Sequence, residues 1–161
     1  MTALLIENPT NAEVTCPHLL QFLETWQSIK AAEGLPRRRH FTFRLLKDYL
    51  PDIAIMDVDK KTGRFLVSLV GTRYTEMLGR EMTGMYVDEM PHTEEMLKRC
   101  QRLVEMGQPY FATRNPLNWA GKDYKSYSTL GVPLYGDDET VSKILFCVSF
   151  ETMPHSVSHA L

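Results

Sequence analysis

The sequence has few of the features that mark membrane, secreted or metal-binding proteins. Its three cysteines, Cys16, Cys100 and Cys147, are an odd number at wide spacing, which predicts reduced thiols rather than a disulfide framework or a zinc site. No apolar run approaches the ~18 residues that a transmembrane helix needs, and the first residues do not combine a basic segment with an apolar signal core. We therefore expect a cytoplasmic protein that has no membrane partner and no metal.

A strong charge of either sign is also missing. The formal net charge is −2 over 161 residues, which argues against nucleic acid as a partner. The cluster Arg37-Arg38-Arg39 could contact phosphate, but three arginines in a nearly neutral chain favour a solvated loop that pairs with nearby carboxylates. The length is typical of one domain that buries its own core.

Recognisable catalytic motifs are absent as well. The sequence contains no phosphate-binding loop, no glycine-rich dinucleotide fingerprint and no HExxH motif. Ser126 and Ser128 lie in a strand-like run without a nucleophile elbow. Asp57 and Asp59 suit a charged hairpin turn better than a catalytic pair of carboxylates. We therefore predict that the protein is not an enzyme and assign no catalytic residue.

Helical periodicity is strong in two segments. Residues 1–15 show no periodicity and are predicted to form a flexible arm, whereas apolar residues recur at three- and four-residue spacing from Pro17 to Gly34. A second amphipathic helix is predicted over residues 94–106, with Thr93 before it and Gly107 after it. Its predicted core stripe is Met96, Leu97, Cys100, Leu103 and Val104, and its water-facing residues are Lys98, Arg99 and Arg102. Shorter helices are predicted over residues 42–49 and 72–78.

Five other segments have the composition and alternation of β-strands. They cover residues 53–58, 64–70, 110–114, 124–135 and 141–150. In the second strand, Phe65, Val67 and Leu69 are expected on one face. Two strands, a helical middle and three strands predict an α+β fold, a five-stranded antiparallel sheet covered by helices, with the N-terminal amphipathic helix outside that unit. We assign residues 16–152 to this single domain and residues 153–161 to a flexible C-terminal tail.

Several short motifs carry a resemblance to a known family. They are Leu35-Pro36-Arg37-Arg38, Leu50-Pro51, Arg64-Phe65, Leu69-Val70-Gly71-Thr72, Leu78-Gly79-Arg80, Met82-Thr83-Gly84 and Gly131-Val132-Pro133-Leu134. With this order of elements, residues 18–150 resemble the bacterial PAS-like domain family found mostly in alphaproteobacteria. The resemblance implies a PAS-like sheet with a pocket between sheet and helices, used in sensing, signalling or partner binding. A single-domain member has no attached output domain, so its signal would leave through a partner protein.

The resemblance does not identify a ligand or a cofactor. A haem would need an axial histidine on the covering helix, and residues 94–106 contain none. A flavin photosensor would need a reactive cysteine in a characteristic motif that this sequence lacks. Aromatic and methionine residues crowd the predicted pocket, where methionine can also simply fill gaps in a core. The candidate ligand-binding residues are Arg73, Tyr74, Met77, Met96, Tyr110, Arg114, Asn118, Trp119 and Phe146. For Arg73 the alternative is an ion pair with a carboxylate.

The function that these features favour is a sensory or regulatory module that acts through contact with an unidentified signalling protein, with or without a small ligand. The alternatives are a dedicated small-molecule or haem sensor and an uncharacterised enzyme. The apolar stripe of the N-terminal helix is wider than one surface helix needs, so we also predict that this helix docks partly on the other face of the sheet and partly against a second subunit, which gives a homodimer. The stripe consists of Leu19, Phe22, Leu23, Trp26 and Ile29.

Overall fold

The computed structural model describes residues 4–152, without the side chains of residues 122–124 and 151–152. The predicted tail over residues 153–161 lies outside the described residues. The helices are α1 (Pro17–Glu33), α2 (Phe43–Leu46), α3 (Thr72–Leu78) and α4 (Glu94–Met106). The strands are β1 (Leu4–Glu7), β2 (Ile53–Val58), β3 (Phe65–Val70), β4 (Tyr110–Leu117), β5 (Lys122–Tyr135) and β6 (Val141–Thr152). None of these helices is long and apolar enough to cross a membrane.

The sheet has six antiparallel strands in the order β1-β4-β5-β6-β2-β3. The prediction of an α+β fold is confirmed, but the predicted number of five strands is one too few. The additional strand is β1, which pairs with β4 so that Leu4 lies opposite Thr113 and Glu7 opposite Tyr110. The prediction that residues 1–15 form a flexible arm is therefore wrong for residues 4–7, which form strand β1. A four-residue edge strand carries too short a pattern to be recognised, and its partner lies about a hundred residues away.

Both long helices form where the periodicity predicts them. Helix α1 begins at Pro17, where the missing N–H of proline costs no helical hydrogen bond, and ends at Gly34. Helix α4 ends at Gly107, whose left-handed conformation (φ 66°) favours glycine. Helix α2 is shorter than predicted, because a 3₁₀ turn at Leu50–Asp52 follows it and leads directly into β2.

The alternation predicted for β3 is wrong at its end. The pairing of β2 with β3 shifts by one residue, so that Ile55 lies opposite Leu69 whereas Met56 lies opposite Val67. A β-bulge of this kind turns the following side chains to the other face of the sheet. Phe65 and Val67 therefore pack against α3 and α4, whereas Leu69 packs on the opposite face.

Each face of the sheet has its own hydrophobic core. Helices α3 and α4 cover one face, and α1 and α2 cover the other. On the α1 side, Leu19, Phe22, Leu23 and Trp26 are each no more than 4% exposed. The indole Nε1–H of Trp26 also donates a 3.0 Å hydrogen bond to the carbonyl of Pro133 in β5. Most of the apolar stripe of α1 is therefore used within the chain.

Candidate functional site

A cavity of about 60 Å³ lies between the sheet and helices α3 and α4. Its wall consists mainly of flexible thioethers and large rings. The methionines in the wall are Met56, Met82, Met90 and Met96, and the aromatic residues are Tyr74, Tyr110, Trp119, Tyr127 and Phe146. Small residues on the sheet, among them Ala54 and Thr129, form the floor. Small-molecule sites are usually lined by apolar and aromatic side chains with a few polar groups, and the lining of this cavity has that composition.

The rings around the cavity hold one another in place. Tyr110 and Phe146 meet edge to face with their centroids 6.2 Å apart, and Trp119 and Tyr127 do the same at the same distance. The indole Nε1–H of Trp119 donates a 3.2 Å hydrogen bond to the Tyr127 hydroxyl oxygen. Such contacts add to the stability gained from burial alone, so this part of the wall is preorganised.

A bulge in β4 brings a polar side chain into the core beside the cavity. The pairing with β5 is interrupted between Ala112 and Asn115, and the intervening Arg114 has a left-handed backbone (φ 55°) and an exposed side chain. Asn115 is 3% exposed. Its Nδ2 donates to the carbonyls of Ala112 and Tyr127, both at 3.0 Å. These two bonds fix the amide so that its Oδ1 is free to accept a further donor.

That further donor is Arg99 of α4, whose Nη1–H bonds to the Oδ1 of Asn115 at 2.6 Å. Arg99 was predicted to face water, and this prediction is wrong, because its half-buried side chain lines the cavity. Its Nε–H is buried and has no hydrogen-bond acceptor among the described residues. Among the carboxylates whose side chains the structure describes, none forms an ion pair with it. Arg102, three residues after Arg99 on the same helix, does have an acidic partner: it pairs with Glu7 of β1 at 3.0 Å.

The phenols around the cavity remain protonated. Burial raises the pKa of Tyr74 and of Tyr110 well above the usual value. Burial also raises the pKa of Tyr127, against the opposing effects of the Trp119 hydrogen bond and the positive charge of Arg99. A protonated hydroxyl can donate as well as accept a hydrogen bond. Since the Tyr127 oxygen already accepts from Trp119, its own O–H is the group that can point toward a ligand.

Of the nine predicted ligand-binding residues, the structure brings five together around the cavity. These five are Tyr74, Met96, Tyr110, Trp119 and Phe146. The other four, Arg73, Met77, Arg114 and Asn118, do not line it. Arg99 and Tyr127 line the cavity but were not among the candidates. Arg99 could have been recognised, because it lies three residues after Met96 and four before Leu103, which is the spacing of one helix face.

Arg73 belongs to a different cluster near the surface. Its Nε–H donates to Oδ1 of Asp52, a carboxylate that is only 8% exposed. Nε2 of His18 lies 3.3 Å from the other oxygen of Asp52. In the structure Arg73 therefore pairs with a carboxylate, which was the alternative to a ligand-binding role.

A groove of about 160 Å³ runs along the outside of the cavity, between β1 and α4. Arg99 and Tyr110 line both the groove and the cavity, so these two side chains form the wall between them. Lys98 and Arg102 add positive charge along the groove, and Glu7 and Glu95 add negative charge. Among the side chains that the structure describes, no three from acidic residues, histidines or cysteines are grouped in a way that could hold a metal ion.

The sequence matches the PAS domain family over residues 14–147. None of the curated proteins matches the sequence.

Solved structures with the same fold cover most of the chain. A sensory box sensor histidine kinase from Vibrio cholerae is 17% identical, with a TM-score of 0.50, and the match covers 79% of this chain and 98% of that one. An RNA-binding light-oxygen-voltage receptor is 10% identical, with a TM-score of 0.53, and the match covers 92% of this chain and 38% of that one. The PAS domain of the histidine kinase ThkA is 15% identical, with a TM-score of 0.46, and the match covers 61% and 98%. At these identities the likeness concerns the fold alone.

Proposed function

Since this chain belongs to the PAS domain family, we propose that it is a sensory or regulatory module that passes its signal on by contact with another protein. Membership of a family of sensory modules argues against catalysis, in agreement with the lack of catalytic motifs in the sequence. The partner is a signalling protein that responds to the state of this domain. A cytoplasmic location remains a prediction from the sequence.

The observation that carries the proposal furthest is the cavity between the sheet and helices α3 and α4. We propose that it holds a small molecule, whose presence changes the packing of α3 or α4. Its wall is mostly apolar and includes a few polar groups, as in other small-molecule sites. Four methionines let the cavity adapt to its contents. A volume of about 60 Å³ is far too small for haem or flavin, so we propose neither.

The ligand-binding residues of this proposal are those that line the cavity. Tyr74, Met96, Tyr110, Trp119 and Phe146 keep the role predicted for them, and Arg99 and Tyr127 join them. Arg73, Met77, Arg114 and Asn118 are left out, because none of them lines the cavity.

Filling the cavity tests this proposal. Ala54 lies on the cavity floor, so Ala54→Leu should occupy the space that a ligand would take, and the stability of the protein should change little. Ala112 is equally buried on the same face of the sheet but does not line the cavity. Ala112→Leu should therefore overpack the core and lower the free energy of unfolding by about 1–3 kcal/mol. Urea denaturation measures both variants.

Two further measurements follow on the same proteins. Native mass spectrometry of the parent should reveal a bound small molecule that Ala54→Leu has lost. A partner protein captured by the parent should be captured less by Ala54→Leu. If Ala54→Leu and Ala112→Leu destabilise the protein equally, the cavity has no space that a ligand could use. If the parent and Ala54→Leu capture the partner protein equally, the contents of the cavity do not control the contact with the partner.

Self-association through the N-terminal helix also remains a prediction, and the structure changes which residues could carry it. Four of the five residues in the predicted stripe are buried within the chain, and only Ile29 is partly exposed. Ile29 lies with Leu45 at a groove between α1 and α2, and Phe43 of α2 is 72% exposed. A homodimer through α1 would therefore use Ile29, Phe43 and Leu45 in place of Trp26.

A further inference from the structure

We infer that the cavity binds a small molecule that carries a carboxylate, and that Arg99 is the residue that binds this anion. The inference rests on the proposed function, since it names the chemical class of the ligand in the same cavity. Three properties of Arg99 support it: the free edge of its guanidinium, its lack of an acidic partner, and its position between the cavity and the outer groove.

The guanidinium is held so that one edge remains available. Nη1–H is engaged by the Oδ1 of Asn115 at 2.6 Å, and Asn115 is itself held by two backbone carbonyls. The buried Nε–H has no acceptor among the described residues. The Nε side of a guanidinium presents two parallel N–H groups, which match the two oxygens of a carboxylate. The orientation set by Asn115 therefore leaves a site for an anion that can accept two hydrogen bonds.

The charge of Arg99 lacks the acidic partner that Arg64, Arg73 and Arg102 have. Arg64 pairs with Asp88 at 2.8 Å, Arg73 with Asp52, and Arg102 with Glu7 at 3.0 Å. Arg99 is half-buried against apolar walls, and none of the carboxylates with a described side chain lies within ion-pair distance of it. A buried cation is costly unless a counter-charge accompanies it. An anionic ligand would supply that counter-charge, whereas a neutral ligand of the same shape would not.

The other residues of the cavity wall indicate the chemical character of the rest of the ligand. Around Arg99 the cavity is lined by thioethers and rings, among them Met96, Tyr110 and Phe146, so the part of the ligand beyond its carboxylate must be apolar. The volume of about 60 Å³ limits that part to a few carbon atoms. The free O–H of Tyr127 can donate to the second carboxylate oxygen.

The outer groove provides a route for such an anion. It shares Arg99 and Tyr110 with the cavity, so an anion that enters the groove meets the guanidinium of Arg99 at the border of the two spaces. In the groove Lys98 is paired with Glu95 and Arg102 with Glu7, so among the described side chains that line it Arg99 carries the positive charge that has no acidic partner. This positive charge favours the approach of a carboxylate over that of a cation.

Butyrate and butyramide are matched probes for this inference, because they have nearly the same shape and differ in charge. Titration calorimetry should show that the parent binds butyrate at least about 10-fold more tightly than butyramide, as expected for hydrogen bonds to a charged group. Arg99→Gln should weaken butyrate binding by about 10–100-fold and leave butyramide binding within about 3-fold. Arg102→Gln is the control on the same helix, and it should change neither affinity, because Arg102 pairs with Glu7 outside the cavity.

Arg99→Lys keeps the charge but loses the paired N–H edge. It should weaken butyrate binding less than Arg99→Gln does, and it replaces that variant if Arg99→Gln does not fold. Equal affinity for butyrate and butyramide, or an unchanged butyrate affinity in both Arg99 variants, would overturn the role of Arg99 while leaving the cavity as a ligand site.

Native mass spectrometry separates the failure of this inference from the failure of the proposed function. A co-purifying carboxylic acid with a short apolar part that is lost in Arg99→Gln and retained in Arg102→Gln supports the inference. A neutral or cationic ligand in the cavity overturns the inference and leaves the proposed function standing. If neither probe binds and no ligand mass is found, the proposal of a small-molecule cavity fails together with the inference.

Discussion

At the scale of single residues, the surroundings of each arginine decide what it does. Arg102 is exposed and pairs with Glu7, which is exposed as well, so this contact contributes little to stability. Arg73 compensates a buried carboxylate, and Arg99 has no carboxylate to compensate. Arginine therefore has three different roles in this small domain: a surface contact at Arg102, a structural role at Arg73 and a proposed binding role at Arg99.

The structural role of Arg73 can be measured by removing it. Asp52 is 8% exposed, and without Arg73 its carboxylate would keep only the nearby His18 as a potential counter-charge. Arg73→Ala should therefore lower the free energy of unfolding by about 1–2 kcal/mol, as expected when a buried charged group loses its hydrogen bond. Arg102→Ala is the control and should stay within about 0.5 kcal/mol of the parent in urea denaturation. Equal stability of the two variants would show that Asp52 does not depend on Arg73.

The three thiols should differ in reactivity. Burial raises the pKa of the Cys100 thiol to about 12 and also raises that of Cys147, whereas Cys16 is partly exposed. Since the thiolate is the reactive form, iodoacetamide at pH 8 should modify Cys16 first in the folded protein. Peptide mass spectrometry reads out the modified sites. Modification of Cys100 at the rate of Cys16 without unfolding would contradict its burial.

The raised pKa of Cys100 also has a consequence for stability at high pH. The folded state keeps the thiol protonated up to about pH 12, whereas the unfolded chain loses that proton near its ordinary pKa of 9.0. The unfolded state therefore binds fewer protons between these values, and the stability contribution of this group declines as the pH rises through that range. Cys100→Ala should show a weaker decline in urea denaturation above pH 9.

At the scale of elements, two β-bulges shape the site. The bulge opposite Ile55 in the pairing of β2 with β3 sends Leu69 away from the cavity side, and the bulge in β4 brings Asn115 inward beside Arg99. Bulges re-aim side chains without breaking the sheet. The polar part of the site thus depends on local irregularities in otherwise regular strands.

Strand β6 lies between β5 and β2 in the interior of the sheet and contributes Phe146 to the cavity wall. Phe146 is 4% exposed and packs edge to face against Tyr110. Phe146→Ala should lower the free energy of unfolding by about 3–5 kcal/mol, the usual effect of removing a buried phenylalanine. Phe43→Ala is the control, since Phe43 is 72% exposed and should stay within about 0.5 kcal/mol. An unchanged thermal midpoint for Phe146→Ala would contradict the position of β6.

At the scale of the whole molecule, one sheet separates two cores with different properties. The α1 side buries Phe22, Phe41 and Phe111 almost completely, and it forms a scaffold. The α3/α4 side contains the cavity and its four methionines. A change in the contents of the cavity would therefore act first on α3, α4 and the groove beside β1.

The assembly prediction belongs to this scale. Trp26 is buried and hydrogen-bonded to Pro133, so Trp26→Glu should unfold the monomer, which circular dichroism would detect. If α1 also mediates a homodimer, Phe43→Ser should shift the mass measured by light scattering toward the monomer while the fold is kept. A monomeric mass for the parent at micromolar concentration would contradict the homodimer.

The sequence by itself determined the regular elements of this protein. The periodicity of residues 17–33 and 94–106, the glycines that end both helices and the alternation in the central strands are local patterns, and local patterns are set by backbone geometry and the burial of one face. The α+β class followed from the order of these elements. Five of the nine residues predicted to bind a ligand line the cavity, because large apolar side chains in the segments around a predicted pocket tend to line it.

The rest was decided only by tertiary structure, because it depends on contacts between distant parts of the chain. The four residues of β1 become a strand only when β4 offers its edge. The docking of α1 on the sheet was predicted in part, but its extent depends on tertiary contacts, which bury all of the stripe except Ile29. Arg99 turns inward because a bulge in β4, sixteen residues later in the sequence, presents Asn115 to it. The sequence alone does not determine which way a charged side chain points when it lies at the border of an apolar helix stripe. The partner that folding places beside that side chain determines it.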